Sequence, residues 1–306
     1  MSARNGSDVR ISVITPCLNG ARYIAEAIDS VVGQRHPHTQ HIVADGGSTD
    51  GTLELLSRYP HLKVMHGPDH GVYDALNKAL EAAEGEIIGI LNSDDCYAED
   101  VFSSVIAGFT DPDVMALAGD AVAFRGSSDA PQNAVAQFTA PGSDLLHQST
   151  LGNPCINAWF FRAAVFPLIG RFDASYRVTG DREFMLRLAC SGLRSKQLPR
   201  LVYRYRIHAA SMTFGGNPQI WETIAREHDK MTHDYLRRQD LSKRARKLIT
   251  QARTRDTLRL ALRAGRQRDW RRLIRNAAAG TRYDWGWPLR FAKRAYAAFR
   301  SRSPAA

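Results

Sequence analysis

Residues 71–95 read GVYDALNKALEAAEGEIIGILNSDD, a helical pattern followed directly by a short strand pattern. The helical part repeats apolar residues every three or four positions, as one buried helix face requires. These residues are Val72, Ala75, Leu76, Ala79, Leu80 and Ala83. Residues 86–92 then form a short apolar run that predicts a buried strand. The strand stops at two adjacent carboxylates, Asp94 and Asp95. This order of helix and strand predicts one unit of an α/β protein.

Two interpretations fit the carboxylate pair on its own. In a polar turn, one of the two aspartates would cap the helix that follows. At the carboxyl edge of a sheet, the pair would instead supply hard oxygen ligands for a divalent cation and its phosphate partner. The residues around the pair are needed to distinguish a turn from a cation site.

The preceding residues continue the same alternation of strands and helices. The predicted strands are 9–15, 40–45 and 61–67, and the predicted helices are 21–34 and 50–59. Alternation of this kind favours a mostly parallel sheet that is flanked by helices. Ligands of such sheets bind beyond the carboxyl ends of the strands.

Three polar or glycine-rich loops follow the predicted strands. Residues 16–20 read PCLNG, residues 45–51 read DGGSTDG, and residues 92–95 read NSDD. Each loop by itself is an acceptable turn. Because they follow strands of one sheet, we expect the three loops to meet at one edge and to form a site there.

The sequence is less regular after Phe124. Residues 125–155 are rich in Gly, Ser, Pro, Asn and Gln, which predicts a long loop. Residues 181–192 then predict a helix that ends at a glycine, and residues 196–208 predict a strand.

The composition is typical of a soluble globular protein. Of the 306 residues, 44% are hydrophobic and 24% are charged. No apolar run approaches the roughly 18 residues that a membrane-spanning helix needs, and the first residues contain no apolar signal segment. The four cysteines form no CxxC pair, which argues against a zinc site or a disulfide framework. We therefore expect a reducing, cytoplasmic location.

The net charge of +10 is divided unevenly along the chain. Residues 221–306 contain 23 Lys and Arg against 8 Asp and Glu, a net charge of +15. Residues 1–220 contain 18 against 23, a net charge of −5. The sequence therefore predicts a mildly acidic body followed by a basic tail, and each part needs its own explanation.

Familiar phosphate and zinc motifs are missing from the sequence. It contains no GxxxxGK[ST], no GxGxxG and no HExxH, which argues against a P-loop, a dinucleotide site and a zincin. A nucleotide-diphosphate site built from carboxylates and a divalent cation remains. Such a cation would bridge the pyrophosphate oxygens and neutralise their charge.

Four segments in this order resemble the family 2 glycosyltransferases of the GT-A fold. They are ISVITPCLNG (11–20), IVADGGSTDGT (42–52), DHGVYDALNKALEAAEGEIIGILNSDD (69–95) and GDREFMLRL (180–188), within a resemblance that covers roughly residues 10–213. The resemblance implies a Rossmann-like α/β GT-A domain at 1–215, with a nucleotide-binding half at about 10–120 and an acceptor half at 121–215. A basic helical extension would follow at 216–306.

The resemblance also implies which residues bind the nucleotide. Thr15 and Pro16 match positions that line the nucleotide base. Asp45 matches the aspartate that hydrogen-bonds the uracil ring. Asp94 matches the member of the carboxylate pair that lies towards the ribose.

Three further residues match positions that take part in the chemistry. Asp95 matches the carboxylate on the metal, which would be Mn²⁺ or Mg²⁺. His208 matches a position that meets the metal or the diphosphate in some GT-A enzymes. Asp181 matches the carboxylate that acts as general base in inverting members.

The implied activity is an inverting glycosyl transfer. A hexosyl or N-acetylhexosaminyl group would move from a nucleotide-diphosphate sugar to a hydroxyl of a glycan or lipid-linked acceptor. The expected donor is a UDP-sugar. The family context implies the assembly of bacterial surface polysaccharides.

Two other classes were compared with this interpretation. A nucleotidyltransferase that forms sugar nucleotides would need a Gly-rich, Arg-containing loop after the first strand, and residues 16–20 lack it. A non-catalytic binding protein with a basic interaction tail is the remaining alternative. The aromatic residues of the tail lie on helical faces and form no stacking platform, so no nucleic-acid partner is expected.

Two stretches of the tail predict amphipathic basic helices. Within 267–280, one side carries Trp270, Leu273, Ile274, Ala277 and Ala278. Within 285–302, one side carries Trp285, Leu289, Ala292, Tyr296 and Phe299. Such helices suit an anionic membrane surface, which would place the protein peripherally at the inner face of the plasma membrane. They equally suit packing on the core or a homodimer interface, and the sequence leaves this choice open.

Overall fold

The computed structural model describes residues 8–126, 134–138, 144–211, 218–266 and 268–283. Its contacts divide the chain into two units, Met1–Ile220 and Trp221–Ala306. The domain border predicted at 215 falls within residues 212–217, which lie outside the described residues.

The first half of the larger unit alternates strands and helices. Its elements are β1 (Ile11–Cys17), α1 (Ile24–Val32), β2 (Thr39–Asp45), α2 (Thr52–Leu56), β3 (Leu62–His66), α3 (Val72–Glu81) and β4 (Ile87–Ile90). The predicted alternation is confirmed, with element ends that differ by a few residues. Helix α3, for example, ends at Glu81 because Gly85 and the strand pairing of β4 follow closely.

The second half is more irregular. Its elements are β5 (Cys96–Tyr97), α4 (Val101–Gly108), β6 (Val114–Phe124), β7 (Ala134–Phe138), α5 (Leu145–Thr150), β8 (Trp159–Arg162), α6 (Val165–Ile169), α7 (Gly180–Cys190) and β9 (Arg194–Arg206). The prediction of one long loop at 125–155 is wrong where β7 and α5 lie. Asp144 caps the start of α5, because its side chain accepts a hydrogen bond from the backbone N–H of His147 at 3.0 Å. The polar composition of this segment gave no apolar periodicity from which the helix could be predicted.

All nine described strands belong to one sheet, in the order β3-β2-β1-β4-β8-β6-β9-β5, with β7 beside β6. Strands β1 to β4 pair in parallel, as predicted, whereas β8 runs antiparallel to both β4 and β6. Strand β9 is parallel to β6. Following these directions across the sheet, the carboxyl ends of β1, β2, β4, β6 and β9 all lie at the same edge.

The core of the larger unit covers both faces of the sheet. Every residue of β1 is buried, as expected for a central strand with helices on each side. On one face, Phe161 of β8 meets Phe184 of α7, with ring centroids 5.5 Å apart. This aromatic contact fixes the start of α7 relative to the sheet.

The smaller unit is helical. It contains most of α8 (Pro218–Leu236), together with α9 (Lys243–Arg266) and α10 (Trp270–Tyr283). Polar contacts join α8 to α9: His228 Nδ1 lies 3.0 Å from Asp256 Oδ2 in a largely buried contact, and the buried Arg253 pairs with the exposed Asp229 at 2.9 Å. The second predicted tail helix, 285–302, lies outside the described residues. No helix in the described ranges has both the length and the apolar character needed to cross a membrane.

Candidate functional site

The three loops predicted to meet do so at the carboxyl edge of the sheet. Asn19, after β1, donates its N–H to Ser48 Oγ at 2.7 Å, and its side-chain oxygen accepts from Thr49 N at 2.9 Å. The loop after β4 closes on the same place, since a Cβ added at Gly20 would lie 3.4 Å from the Ser93 side chain. Hydrogen bonds and close packing therefore hold the three loops together.

Asp45, the last residue of β2, has a fully buried side chain. Its Oδ1 accepts from Gly47 N at 3.1 Å, from Ser48 N at 2.9 Å and from His66 Nδ1 at 2.8 Å, while Oδ2 accepts from the Ser48 hydroxyl. Burial raises the pKa of Asp45, but the hydrogen bonds from Ser48, His66 and Gly47 together hold this pKa below its usual value. The carboxylate thus stays ionised and fixed in direction, and its contact with uracil stays a prediction.

Thr15 and Pro16 lie near the end of β1, and both are buried. The Thr15 hydroxyl lies 2.9 Å from Nε2 of His41 on the neighbouring strand β2, so this side chain faces the sheet interior. Contact between the nucleotide base and this part of the chain stays a prediction.

His41 should make the fold sensitive to acid. Burial, and next the charge of His61, lower the pKa of His41 from 6.5 to about 3. Because the folded pKa lies below the unfolded one, the stability linked to neutral His41 is complete above pH 6.5 and is lost as the pH falls towards 3. Between pH 7 and pH 4 this loss should amount to about 3 kcal/mol.

Urea unfolding of His41→Gln at the two pH values measures this contribution. We expect the variant to lose less unfolding free energy between pH 7 and pH 4 than the wild type does. The exposed His38 offers a matched control, and His38→Gln should behave like the wild type. An equal pH dependence in His41→Gln and the wild type would show that His41 is not the acid-sensitive group.

Asp95 is almost completely buried and has three hydrogen-bond donors. Arg206 N lies 2.6 Å from Oδ1, whereas the Tyr203 hydroxyl and Asn92 Nδ2 lie 2.7 Å and 3.0 Å from Oδ2. Burial, and then the adjacent charge of Asp94, raise the pKa of Asp95 well above its usual value. Its carboxylate thus ties the loop after β4 to β9, and its role as metal ligand stays a prediction that this geometry does not favour.

Asp94 is the more accessible of the two carboxylates, with 31% of its side chain exposed. Its Oδ2 lies 2.9 Å from Nε2 of His208, whose side chain is 16% exposed. The structure therefore brings the predicted metal or diphosphate histidine to Asp94. The role of Asp94 at the ribose stays a prediction.

Arg206 is a functional candidate that the sequence analysis missed. It is fully buried at the end of β9, where its Nε donates to the Asp94 carbonyl at 2.9 Å and its Nη2 lies 2.7 Å from Glu26 Oε2. Its guanidinium lies between the rings of Tyr23 and Phe124, 4.6 and 4.7 Å from their centroids. Its place near the end of the predicted strand, two residues before His208, was the signal that the sequence offered.

The arginine also acts on the histidine through an aromatic ring. The ring of Tyr23, which lies against Arg206, also packs on the ring of His208. The two ring centroids are 4.9 Å apart. Arg206 thus holds the backbone of Asp94 directly and supports its partner His208 through Tyr23. It is a positioning residue for this pair.

Asp181 is the second residue of α7, whose N-cap is Thr179. Its Oδ1 accepts from Arg182 N at 2.7 Å and from the Tyr73 hydroxyl at 3.2 Å. The same hydroxyl lies 2.8 Å from the Val178 carbonyl, so its single proton is shared between these two acceptors. Tyr73 of α3 therefore fixes both the backbone and the side chain at the start of α7.

Helix α3 also holds the segment that leads to Asp181. The Asn77 amide donates to the Phe172 carbonyl at 2.8 Å and accepts from the Phe172 N–H at 3.0 Å. The YDALN sequence of α3 thus supplies two of its polar side chains, Tyr73 and Asn77, to position the predicted base.

Tyr205 of β9 lies within electrostatic range of the predicted base and of the carboxylate pair. Burial raises the pKa of Tyr205, and the charges of Asp95, Asp94 and Asp181 raise it further. Cys155 is affected in the same way: burial, then Asp95 and Asp181, raise its pKa to about 12. Asp95 and Asp181 are therefore both within electrostatic range of Tyr205 and of Cys155.

A divalent cation is compatible with this arrangement. The described residues contain no group of three or more His, Cys, Asp or Glu that could hold a metal ion by themselves. Asp94 and His208 nevertheless place an accessible carboxylate oxygen and an imidazole nitrogen side by side. Mg²⁺ at nucleotide sites uses one or two carboxylates together with substrate phosphates and water, so the Asp94 carboxylate fits such a cation.

Comparison with known proteins identifies the family of the chain. The family model of glycosyl transferase family 2 matches residues 12–166. A PGL/p-HBAD biosynthesis glycosyltransferase of Mycobacterium bovis (strain BCG / Pasteur 1173P2) is 30% identical over 214 residues, which cover 67% of this chain and 77% of the relative.

Solved structures of S. aureus TarS 1-349 share the fold. The complex with UDP-GlcNAc has a TM-score of 0.63 at 18% identity and covers 90% of this chain and 81% of that chain. The complex with UDP has a TM-score of 0.55 at 22% identity, covering 92% and 91%. This likeness confirms the predicted GT-A fold. On the family match and the mycobacterial relative, the chain belongs to glycosyl transferase family 2 and is a glycosyltransferase.

Proposed function

We propose that the protein transfers a hexosyl or N-acetylhexosaminyl group from a UDP-sugar to a hydroxyl of a glycan or lipid-linked acceptor, with inversion at the anomeric carbon. The observation that carries the proposal is the meeting of the loops at the carboxyl edge of the sheet, where Asp94 lies 2.9 Å from His208, in a chain of glycosyl transferase family 2. The TarS structures in complex with UDP-GlcNAc and with UDP support a uridine diphosphate donor.

Asp181 performs the proton transfer in this proposal. An alcohol is a weak nucleophile at neutral pH, so its proton has to leave as the new bond forms. The acceptor oxygen attacks the anomeric carbon, its proton passes to the Asp181 carboxylate, and the bond to the nucleoside diphosphate breaks on the opposite side. Tyr73 and Arg182 N hold Oδ1 of Asp181 and so position this carboxylate at the start of α7.

Asp94 and His208 bind the leaving-group end. When bound, Mn²⁺ or Mg²⁺ would neutralise charge on the departing diphosphate. We assign the carboxylate contact with the cation to Asp94, because it is exposed beside His208 while Asp95 already has three donors. Arg206 holds the Asp94 backbone in place for this contact.

The acceptor and the location are proposed from a relative and from the charge of the donor. The mycobacterial relative is named for PGL/p-HBAD biosynthesis, which supports an acceptor from cell-surface glycan or lipid assembly. We place the protein in the cytoplasm, at the inner face of the plasma membrane, because UDP-sugars are charged and lipid-linked acceptors would be reached there.

Release of UDP from a panel of UDP-sugars tests the proposal. With Mn²⁺ or Mg²⁺ present, at least one UDP-hexose or UDP-N-acetylhexosamine should yield UDP, and EDTA should suppress the release. GDP-sugars and CMP-sugars, assayed for release of GDP and CMP, serve as the control for the uridine moiety. Release from GDP- or CMP-sugars alone would overturn the assignment of the donor, and release unaffected by EDTA would overturn the metal requirement.

A further inference from the structure

Helix α10 presents two large apolar side chains to solvent. Trp270 is 63% exposed and Ile274 is 66% exposed. They are four residues apart, so they lie one above the other on the same side of the helix. We refer to Trp270 and Ile274 as the outer face of α10.

The side of α10 next to the outer face, which carries Leu273, packs on α9. The Leu273 side chain lies 3.0 Å from the position that a Cβ would take at Gly265 of α9. The turn between the helices is closed by backbone hydrogen bonds, from Asp269 N to the Ala264 carbonyl at 2.9 Å and from Arg268 N to the Gly265 carbonyl at 3.1 Å. Packing on α9 therefore fixes which side of α10 is turned outward.

Exposed arginines adjoin the outer face. Arg271 and Arg275 follow Trp270 and Ile274 directly in the sequence, and both are exposed. They belong to the part of the chain, residues 221–306, with a net charge of +15. An apolar aromatic side chain beside several cations is the pattern of helices that lie in a membrane interface.

We propose that the outer face of α10 docks on an anionic lipid surface, independently of the transferase chemistry. Trp270 and Ile274 would enter the headgroup region, where the indole ring finds both apolar and polar neighbours. Arg271 and Arg275 would contact lipid phosphates. Charge complementarity selects this occupant, since each basic residue near an anionic leaflet contributes on the order of 1 kcal/mol.

Vesicle co-sedimentation of the full chain tests the proposal. The protein should pellet with vesicles of equimolar phosphatidylglycerol and phosphatidylcholine at low salt, less at high salt, and little with phosphatidylcholine alone. The double substitution Trp270→Ser with Ile274→Ser should lower binding about tenfold, since it removes the apolar contact. Arg271→Gln with Arg275→Gln should lower binding at low salt and weaken the salt dependence.

A matched control comes from the other exposed tryptophan described in this unit. Trp221 is 51% exposed on α8, and Trp221→Ser should bind vesicles like the wild type. Should the double serine variant unfold, quenching by brominated lipid replaces it: wild-type fluorescence should be quenched, and Trp270→Phe should lose most of that quenching.

Three results would overturn the proposal. The wild type would remain in the supernatant with anionic vesicles at low salt, or the variants at Trp270 and Ile274 would bind and be quenched like the wild type. In the third case, sedimentation velocity without lipid would show a dimer that the double serine variant converts to monomer. The outer face would then be an interface between two copies of the chain.

Discussion

Replacing Asp181 by Asn should reduce turnover by about 10²- to 10⁴-fold while UDP binding stays close to that of the wild type. The amide can still accept the hydrogen bonds from Tyr73 and Arg182 N, so the start of α7 keeps its position. It cannot take a proton from the acceptor hydroxyl. Steady-state rates with a turned-over UDP-sugar, together with calorimetric titration of UDP, measure the two effects separately.

A matched control for this substitution lies at an exposed aspartate. Asp113, between α4 and β6, is exposed, and Asp113→Asn should leave turnover unchanged. Turnover of Asp181→Asn within a few fold of the wild type would remove Asp181 from the role of general base. A large loss of UDP affinity instead would assign it to donor binding.

Replacing Arg206 by Met should lower the unfolding free energy by about 3 kcal/mol. The substitution leaves the carbonyls of Asp94 and Gly126 without their buried donor and removes the ion pair to Glu26. Methionine keeps part of the apolar contact with the neighbouring rings, so the effect reports mainly on the lost polar contacts. Urea unfolding without ligand measures it.

An exposed arginine provides the comparison for Arg206. Arg10 pairs with Glu84 at the surface, with both side chains about half exposed or more, so Arg10→Met should cost less than about 1 kcal/mol. Similar losses in Arg206→Met and Arg10→Met would mean that the buried network adds little to stability.

The parts of the site that depend on local patterns were predictable from the sequence. Apolar periodicity gave the alternation of β1 to β4, and the polar loops after these strands indicated the edge where they meet. The start of α7, with Asp181, came from the family resemblance and a helical pattern. These features depend on neighbouring residues, whose spacing reflects the period of each element.

The pairing of distant side chains was not predictable in the same way. Asp95 and Tyr203 are 108 residues apart, and Asp94 and His208 are 114 apart. Adjacent aspartates look alike in the sequence, and only the course of β9 decides that Asp95 is buried while Asp94 stays accessible. The support of Asp181 by Tyr73 depends likewise on α3 packing beside α7's first turn.

The cation contact of Asp94 is tested most directly by calorimetric titration of UDP into the wild type and into Asp94→Ala, each with Mn²⁺ and with EDTA. The wild type should bind UDP at least about tenfold more tightly with Mn²⁺, and Asp94→Ala in Mn²⁺ should bind UDP like the wild type in EDTA. The Asp94 side chain is 31% exposed, so the variant should stay folded, which thermal unfolding without ligand checks. If the wild type binds UDP equally well in EDTA, or if Asp94→Ala keeps the full response to Mn²⁺, the cation does not meet the diphosphate at Asp94.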